Sequence, residues 1–243
     1  MCVSFMFAMD LLFVLLIPLI SASQDVIQTC LDQDPNCYAW IAENYTSCTE
    51  EGTNAAKYCE KSCQKCGASV LPEYDLRNIP ENLQPIAFLV GKWRSEFDGK
   101  AFFPTIPKFT YGEEITFRLC NPKMTGLPAL NYTAFAWDNN DMSELHSEYG
   151  YITVENGTRN VSMNTVMSNG FITIENGYEE NNFIQLRMRR IGRLSFSRDL
   201  PVRRMLRTWT LLDSTHLEAR LFMATMTHSM MEHTSIIYER IYP

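Results

Sequence analysis

The chain has 243 residues, 46% of them hydrophobic and 20% charged, with a net charge of −7 and a pI near 5.2. That composition excludes a disordered chain, and the acidic balance without a basic run argues against nucleic acid as a partner. The length admits one or two domains.

Residues 1–23 read as a signal peptide. The apolar run from Leu11 to Ile20 is shorter than the roughly 20 residues that span a bilayer, and the small residues Ser21-Ala22-Ser23 follow it. Asp10 stands where a basic residue is usual, so the alternative is a retained anchor. No other stretch is long and apolar enough to cross, so the mature protein is expected to be secreted and not transmembrane. Four sequons, at Asn44, Asn131, Asn156 and Asn160, are expected glycosylation sites on that route.

Of the eight cysteines, Cys2 lies in the leader and Cys120 stands alone, while Cys30, Cys37, Cys48, Cys59, Cys63 and Cys66 crowd one short segment. A segment of that length buries too little apolar surface to fold unaided, so disulfides are expected, with the pairing left open by spacing. Zinc is the weaker reading, because the one CxxC, Cys63 to Cys66, has no histidine near it. A redox role would want a βαβ setting that is absent. The string Cys30-Leu-Asp32, Cys37-x-x-Trp40, Cys48, then Cys59-x-x-x-Cys63-x-x-Cys66 resembles the ShKT (sea-anemone-toxin-like) domain. The resemblance implies bridges Cys30–Cys66, Cys37–Cys59 and Cys48–Cys63 and a compact module of short helices over residues 30–66. Its Lys57-Tyr58 pair abuts Cys59 in acidic surroundings, which disfavours channel block and favours an interaction or spacer module.

Residues 67–79 read as a linker, and 80–243 as one β-rich domain. Period-two patterning marks strands at Glu113–Leu119, Tyr132–Trp137, Gly150–Val154, Phe171–Ile174, Gln185–Met188, Leu206–Leu212, Leu217–Phe222 and Ser235–Ile241. Turn residues separate them at 139–141, 155–157, 168–170, 176–177, 180–182 and 213–214. Strands at roughly 8–12-residue spacing predict a sandwich or an antiparallel barrel. Only Ile79–Trp93 suggests a short helix, one expected to plug a barrel mouth. Arg187, Arg189, Arg190 and Arg193 read as a solvated strand face.

No nucleophile elbow, phosphate loop or H-E-x-x-H motif is present. Among the histidines, His216 is expected at the surface, and His228 and His233, on one strand, would face opposite sides. His146 reads as an ordinary structural histidine. Glu113-Glu114 and Glu179-Glu180 are adjacent and point apart, which makes them poor acid/base couples. Met223, Met226, Met230 and Met231 suggest either a Met-rich core or an apolar pocket.

The domain contains, in order, Leu89-Val-Gly91-Lys-Trp93, Phe103-Pro104-Thr105-Ile106, Glu113-Glu114, Leu130 to Phe135, Leu145-His146-Ser147-Glu148-Tyr149-Gly150, Ile191 to Phe196, and Met223 to Thr227 with Glu232-His233. On these residues rests a resemblance to the nitrobindins, heme-binding barrels also found at the C-terminus of a THAP-type zinc-finger protein. It implies a mainly β fold, a ten-stranded antiparallel lipocalin-like barrel, beside the small disulfide-rich α module. It also implies heme b, with His233 as the iron ligand and Thr105 in contact with the heme, and reaction with nitric oxide or peroxynitrite isomerase-like activity. The chain departs from the family in its Gly-x-Trp-x-Gly-x-Gly run, which survives as Gly91-Lys92-Trp93-Arg94-Ser95-Glu96 with the later glycines gone and Lys92 where Thr is common, in His228-Ser229 for Gln-Pro, and in Thr153 for Arg. The other readings are a lipocalin-like carrier of another apolar ligand and a non-catalytic extracellular interaction protein.

Overall fold

The structure, a computed structural model, describes residues 31–65, 70–104, 106–120, 126–197, 199 and 201–243. The expected leader and Cys30, Cys66 and Thr105 lie outside the described residues.

The cysteine-rich segment folds into α1 (Cys37–Glu43), a 3-10 turn (Tyr45–Cys48) and α2 (Asn54–Tyr58). Thr53 caps α2 by accepting the amide proton of Ala56 at 3.1 Å. Disulfides Cys37–Cys59 and Cys48–Cys63 tie the turns together. The apolar face of α1, Tyr38, Ile41 and Ala42, is buried. It packs against a 3-10 segment, Glu81–Leu89, that lies under the barrel. The stretch expected to be a linker forms two 3-10 turns over its described part, and the Leu71 amide donates to the Tyr242 hydroxyl at 2.9 Å. Module and barrel therefore share one apolar core rather than hanging on a tether.

Ten strands close an antiparallel barrel in simple up-and-down order. They are β1 (Gly91–Ala101), β2 (Phe109–Leu119), β3 (Leu130–Asp138), β4 (Glu144–Val154), β5 (Asn160–Met167), β6 (Phe171–Glu180), β7 (Phe183–Arg193), β8 (Val202–Leu211), β9 (His216–Thr225) and β10 (Met231–Tyr242). β1 pairs with both β2 and β10, so no edge is left open.

β1 and β5 lack the clear period-two patterning that marks the other eight strands. In β5 the inward set, Val161, Met163, Thr165 and Met167, alternates with Ser162 and Asn164, too weak an amphipathic contrast to stand out. The expected helix at Ile79–Trp93 is helical only to Leu89. It ends because Gly91, with φ at +139°, turns the chain into β1, and a Cβ there would sit 2.6 Å from the Tyr242 carbonyl. It also closes the base of the barrel, the end away from the open mouth. Asn176-Gly177 is no turn but lies within β6. Gly177 is required there because the Gln185 carbonyl approaches to 1.6 Å of where a Cβ would be.

The interior is stratified. Near the base, large apolar side chains such as Trp93, Phe117, Leu130, Ile152 and Ile184 fill it completely. Above them lies a belt of polar groups, and above that an open cup.

Candidate functional site: a cup at the barrel mouth

The cup has a volume of about 520 Å³, within the usual range for a small-molecule site. Phe103, Phe109, Phe171, Ile191, Met167, Met205 and Met223 supply much of its wall. Of the four methionines singled out by sequence, only Met223 lines it. Met226, Met230 and Met231 are exposed.

His233 is 1% exposed and faces the cup. Strict alternation would place it with Ser235 and Glu239, on the opposite side from Ile236 and Tyr238. A bulge overrides that parity. On the β9 side Glu232 pairs with Phe222 and Thr234 with Leu221, so His233 is the extra residue and turns inward together with Thr234, Ile236 and Tyr238. Its Nδ1 lies 3.2 Å from the Met231 carbonyl, which makes Nδ1 the protonated nitrogen. Nε2 has no hydrogen-bond partner among the described residues. The Phe103 ring stands edge-on to the imidazole, centroids 5.4 Å apart.

His228 is not on a strand with His233. It lies in the β9–β10 turn and also borders the cup, its Nδ1 2.9 Å from Thr227 Oγ1. His216 is at the surface against Asp213, as expected. Glu113 and Glu114 do point apart: Glu114 pairs with Arg94 outside, while Glu113 turns in and accepts the Tyr238 hydroxyl at 2.5 Å.

The polar belt was not anticipated as a unit. His146 Nε2 lies 3.1 Å from Glu148 Oε1, Glu148 pairs with Arg207 at 3.0 Å, and Arg207 reaches Glu175 at 3.3 Å and the Tyr132 hydroxyl at 3.3 Å. Thr173 donates to Glu175 at 2.9 Å and meets Thr165 at 2.7 Å. Burial opposes the charge on Glu148, but Arg207 and then His146 outweigh it and bring the carboxyl down to about 2. Burial alone would push His146 down, yet the hydrogen bond and charge of Glu148, with Glu113 beyond, raise it. Burial raises Glu113, the Tyr238 hydrogen bond opposing and the Glu148 charge reinforcing. The belt thus favours the protonated forms of His146 and Glu113 and the ionised form of Glu148. A signal was legible strand by strand: Glu113 shares its face with Ile115 and Phe117, and Glu148 with Ile152 and Val154. A charge on an apolar face needs a partner, but the partner is on another strand.

A neutral imidazole whose Nδ1 proton goes to a backbone carbonyl presents Nε2 as a metal ligand, and an apolar cup around one such nitrogen fits a heme. Residues 82–240 match the family described as the THAP4-like, heme-binding beta-barrel domain. The chain belongs to this family. A THAP4-like barrel is heme-binding, and the deep histidine in an apolar cup agrees with that. The chain is similar to the uncharacterized protein C28H8.5 of Caenorhabditis elegans, 51% identical over 233 residues, covering 92% of this chain and 77% of that protein. It is 27% identical over 161 residues to the peroxynitrite isomerase THAP4 of Bos taurus, covering 66% of this chain but only 27% of that protein. The crystal structure of Rv2717c from M. tuberculosis aligns with a TM-score of 0.56 at 27% identity, covering 67% of this chain and 98% of that one.

Proposed function

We propose that this protein is a secreted heme barrel that acts on nitrogen oxides, in which His233 would hold the heme iron. The observation that carries the reading is the bulge-turned imidazole, buried at the cup wall, with Nδ1 bonded to a carbonyl and Nε2 left without a described partner. Heme, when bound, supplies an iron centre that reacts with small nitrogen oxides. The chain's own residues do the rest. Phe103 and the Met231 carbonyl hold the His233 ring in one orientation, which sets the direction of its lone pair. The cup wall is mostly apolar, and His146 presents a polar group at its floor. Thr105 follows Pro104, itself part of the cup wall, and is proposed to contact the heme. Relatives named peroxynitrite isomerases support the substrate class, nitric oxide or peroxynitrite.

The leader, the disulfides and the sequons support secretion, with glycans proposed at Asn44, Asn131, Asn156 and Asn160. The cysteine-rich segment is read as a ShKT-type module completed by Cys30–Cys66, serving as an extracellular contact surface on its outer side.

The test is an absorption spectrum of exported, purified protein with and without hemin. A Soret band that His233→Ala removes, with folding unchanged, is expected. A co-purifying lipid without iron, and no change on adding hemin, would make the barrel a carrier of another ligand.

A further inference from the structure

The rim of the cup carries a second cleft. β8 has its own bulge at the mouth: Val202 pairs with Thr225 and Arg204 with Ala224, so Arg203 is the extra residue. In an unbroken strand Arg203 and Arg204 would point to opposite faces. The bulge leaves both exposed, while Val202 and Met205 both face the cup. The neighbouring β7–β8 ladder stops at Arg187–Leu206, so the wall is unzipped beside these arginines.

Arg203 and Arg204 border a cleft of about 530 Å³ with Met226, Thr227, His228 and Ser229. Thr225, Thr227 and His228 belong to the walls of both cleft and cup, so the two are continuous. Neither arginine is paired with a carboxylate among the described residues. Arg203 Nε instead lies 3.1 Å from Met226 Sδ, a weak acceptor. Two adjacent, uncompensated guanidiniums at the entrance of an apolar cup, on a chain of net charge −7, form a local attractor for anions.

We propose that this rim cleft is an oxyanion site, in which Arg203 and Arg204 grip a planar carboxylate or nitrogen-oxide anion at the entrance of the cup. The guanidinium fork matches two coplanar oxygens, which an ammonium does not. The source is either the carboxylate side chains of a tetrapyrrole seated in the cup or a free anion such as nitrate. Only the first source rests on the heme reading.

The test uses the full chain purified without heme and an iron-free probe, so His233 ligation plays no part. Binding of protoporphyrin IX and of its dimethyl ester is followed by porphyrin fluorescence, and nitrate binding by calorimetry. If the source is the tetrapyrrole, the dicarboxylate binds roughly tenfold or more tighter than the diester. The double variant Arg203→Gln/Arg204→Gln then erases that ratio while diester affinity holds. If the source is free anion, the ratio is near one and the variant abolishes nitrate binding instead. The double variant Arg203→Lys/Arg204→Lys keeps the charge but not the fork, and is expected to recover less than half of the lost binding free energy. Unchanged ratio and unchanged nitrate binding in the Gln variant overturn the site. That failure would leave the Soret band and its loss in His233→Ala untouched, and loss of the heme reading would leave a nitrate result standing.

Discussion

Tyr38, in the cysteine-rich segment, lies over the guanidinium of Arg240, in the last strand, 4.0 Å from ring centroid to charge. Trp93 covers the same guanidinium at 3.7 Å, and Arg240 donates to the carbonyls of Val90 and Phe88 at 2.7 and 2.8 Å. No aspartate or glutamate makes a direct ion pair with it among the described residues, and ring faces and backbone carbonyls surround it, one ring belonging to the module. Burial accordingly lowers the Arg240 pKa. Tyr38→Ala should therefore destabilise the barrel itself, by about 3 kcal/mol from lost packing and the lost cation–π contact. Chemical denaturation followed by tryptophan fluorescence checks this. An unchanged midpoint would show that the module is not part of the folding unit.

Replacing Cys37 and Cys59 by serine opens a 22-residue separation. Roughly 3 kcal/mol of stability should be lost. Because α1 rests on the Glu81–Leu89 segment, the loss should appear in the single barrel transition and not as a separate early melt of the module.

Arg207 is shared by Glu148 and Glu175, all three buried. Arg207→Met leaves two carboxylates without their cation, a change expected to cost on the order of 3–5 kcal/mol. The double variant Arg207→Met/Glu148→Gln should recover part of it, measurable in a double-mutant cycle.

The belt also sets a pH window. Glu148 has its carboxyl lowered to about 2, so its contribution is present above the unfolded value near 4.5 and is lost as pH falls toward 2. His146 is raised, so its contribution is complete below the ordinary histidine value and fades as pH rises through the folded value. Glu113 is raised too, and being a carboxyl it makes folding less favourable as pH climbs above 4.5. Stability should therefore fall as pH drops from about 4.5 toward 2, through Glu148, and also decline as pH rises above the ordinary histidine value, through His146. Thermal melts of His146→Gln across pH should show the decline above the histidine range reduced and the acid limb smaller, because Glu148 loses one of the two charges that lower it.

Gly177→Ala forces a Cβ to within 1.6 Å of the Gln185 carbonyl, so β6 and β7 must separate. A loss of about 2 kcal/mol or more is expected from such overpacking. Gly126→Ala, where nothing among the described residues lies within 4 Å of the added carbon, should be close to neutral. Equal melting temperatures for the two variants would contradict the packing described.

The strands from β6 to β10 and the β2–β4 hairpins were legible because inward apolar residues recur at every second position, a local property of the chain. The disulfide segment was legible because six cysteines in so short a stretch have few other uses. Turn residues misled only at Asn176-Gly177, where glycine answers a neighbouring carbonyl that no local reading contains. Tertiary structure alone decided the faces of His233, Arg203 and Arg204, since each depends on one extra residue counted against a partner strand. It alone gathered Glu113, His146, Glu148, Glu175, Arg207 and Tyr238, which come from β2, β4, β6, β8 and β10. Periodicity tells a side chain which side of its own strand it lies on. Register and closure of the barrel decide what it meets there.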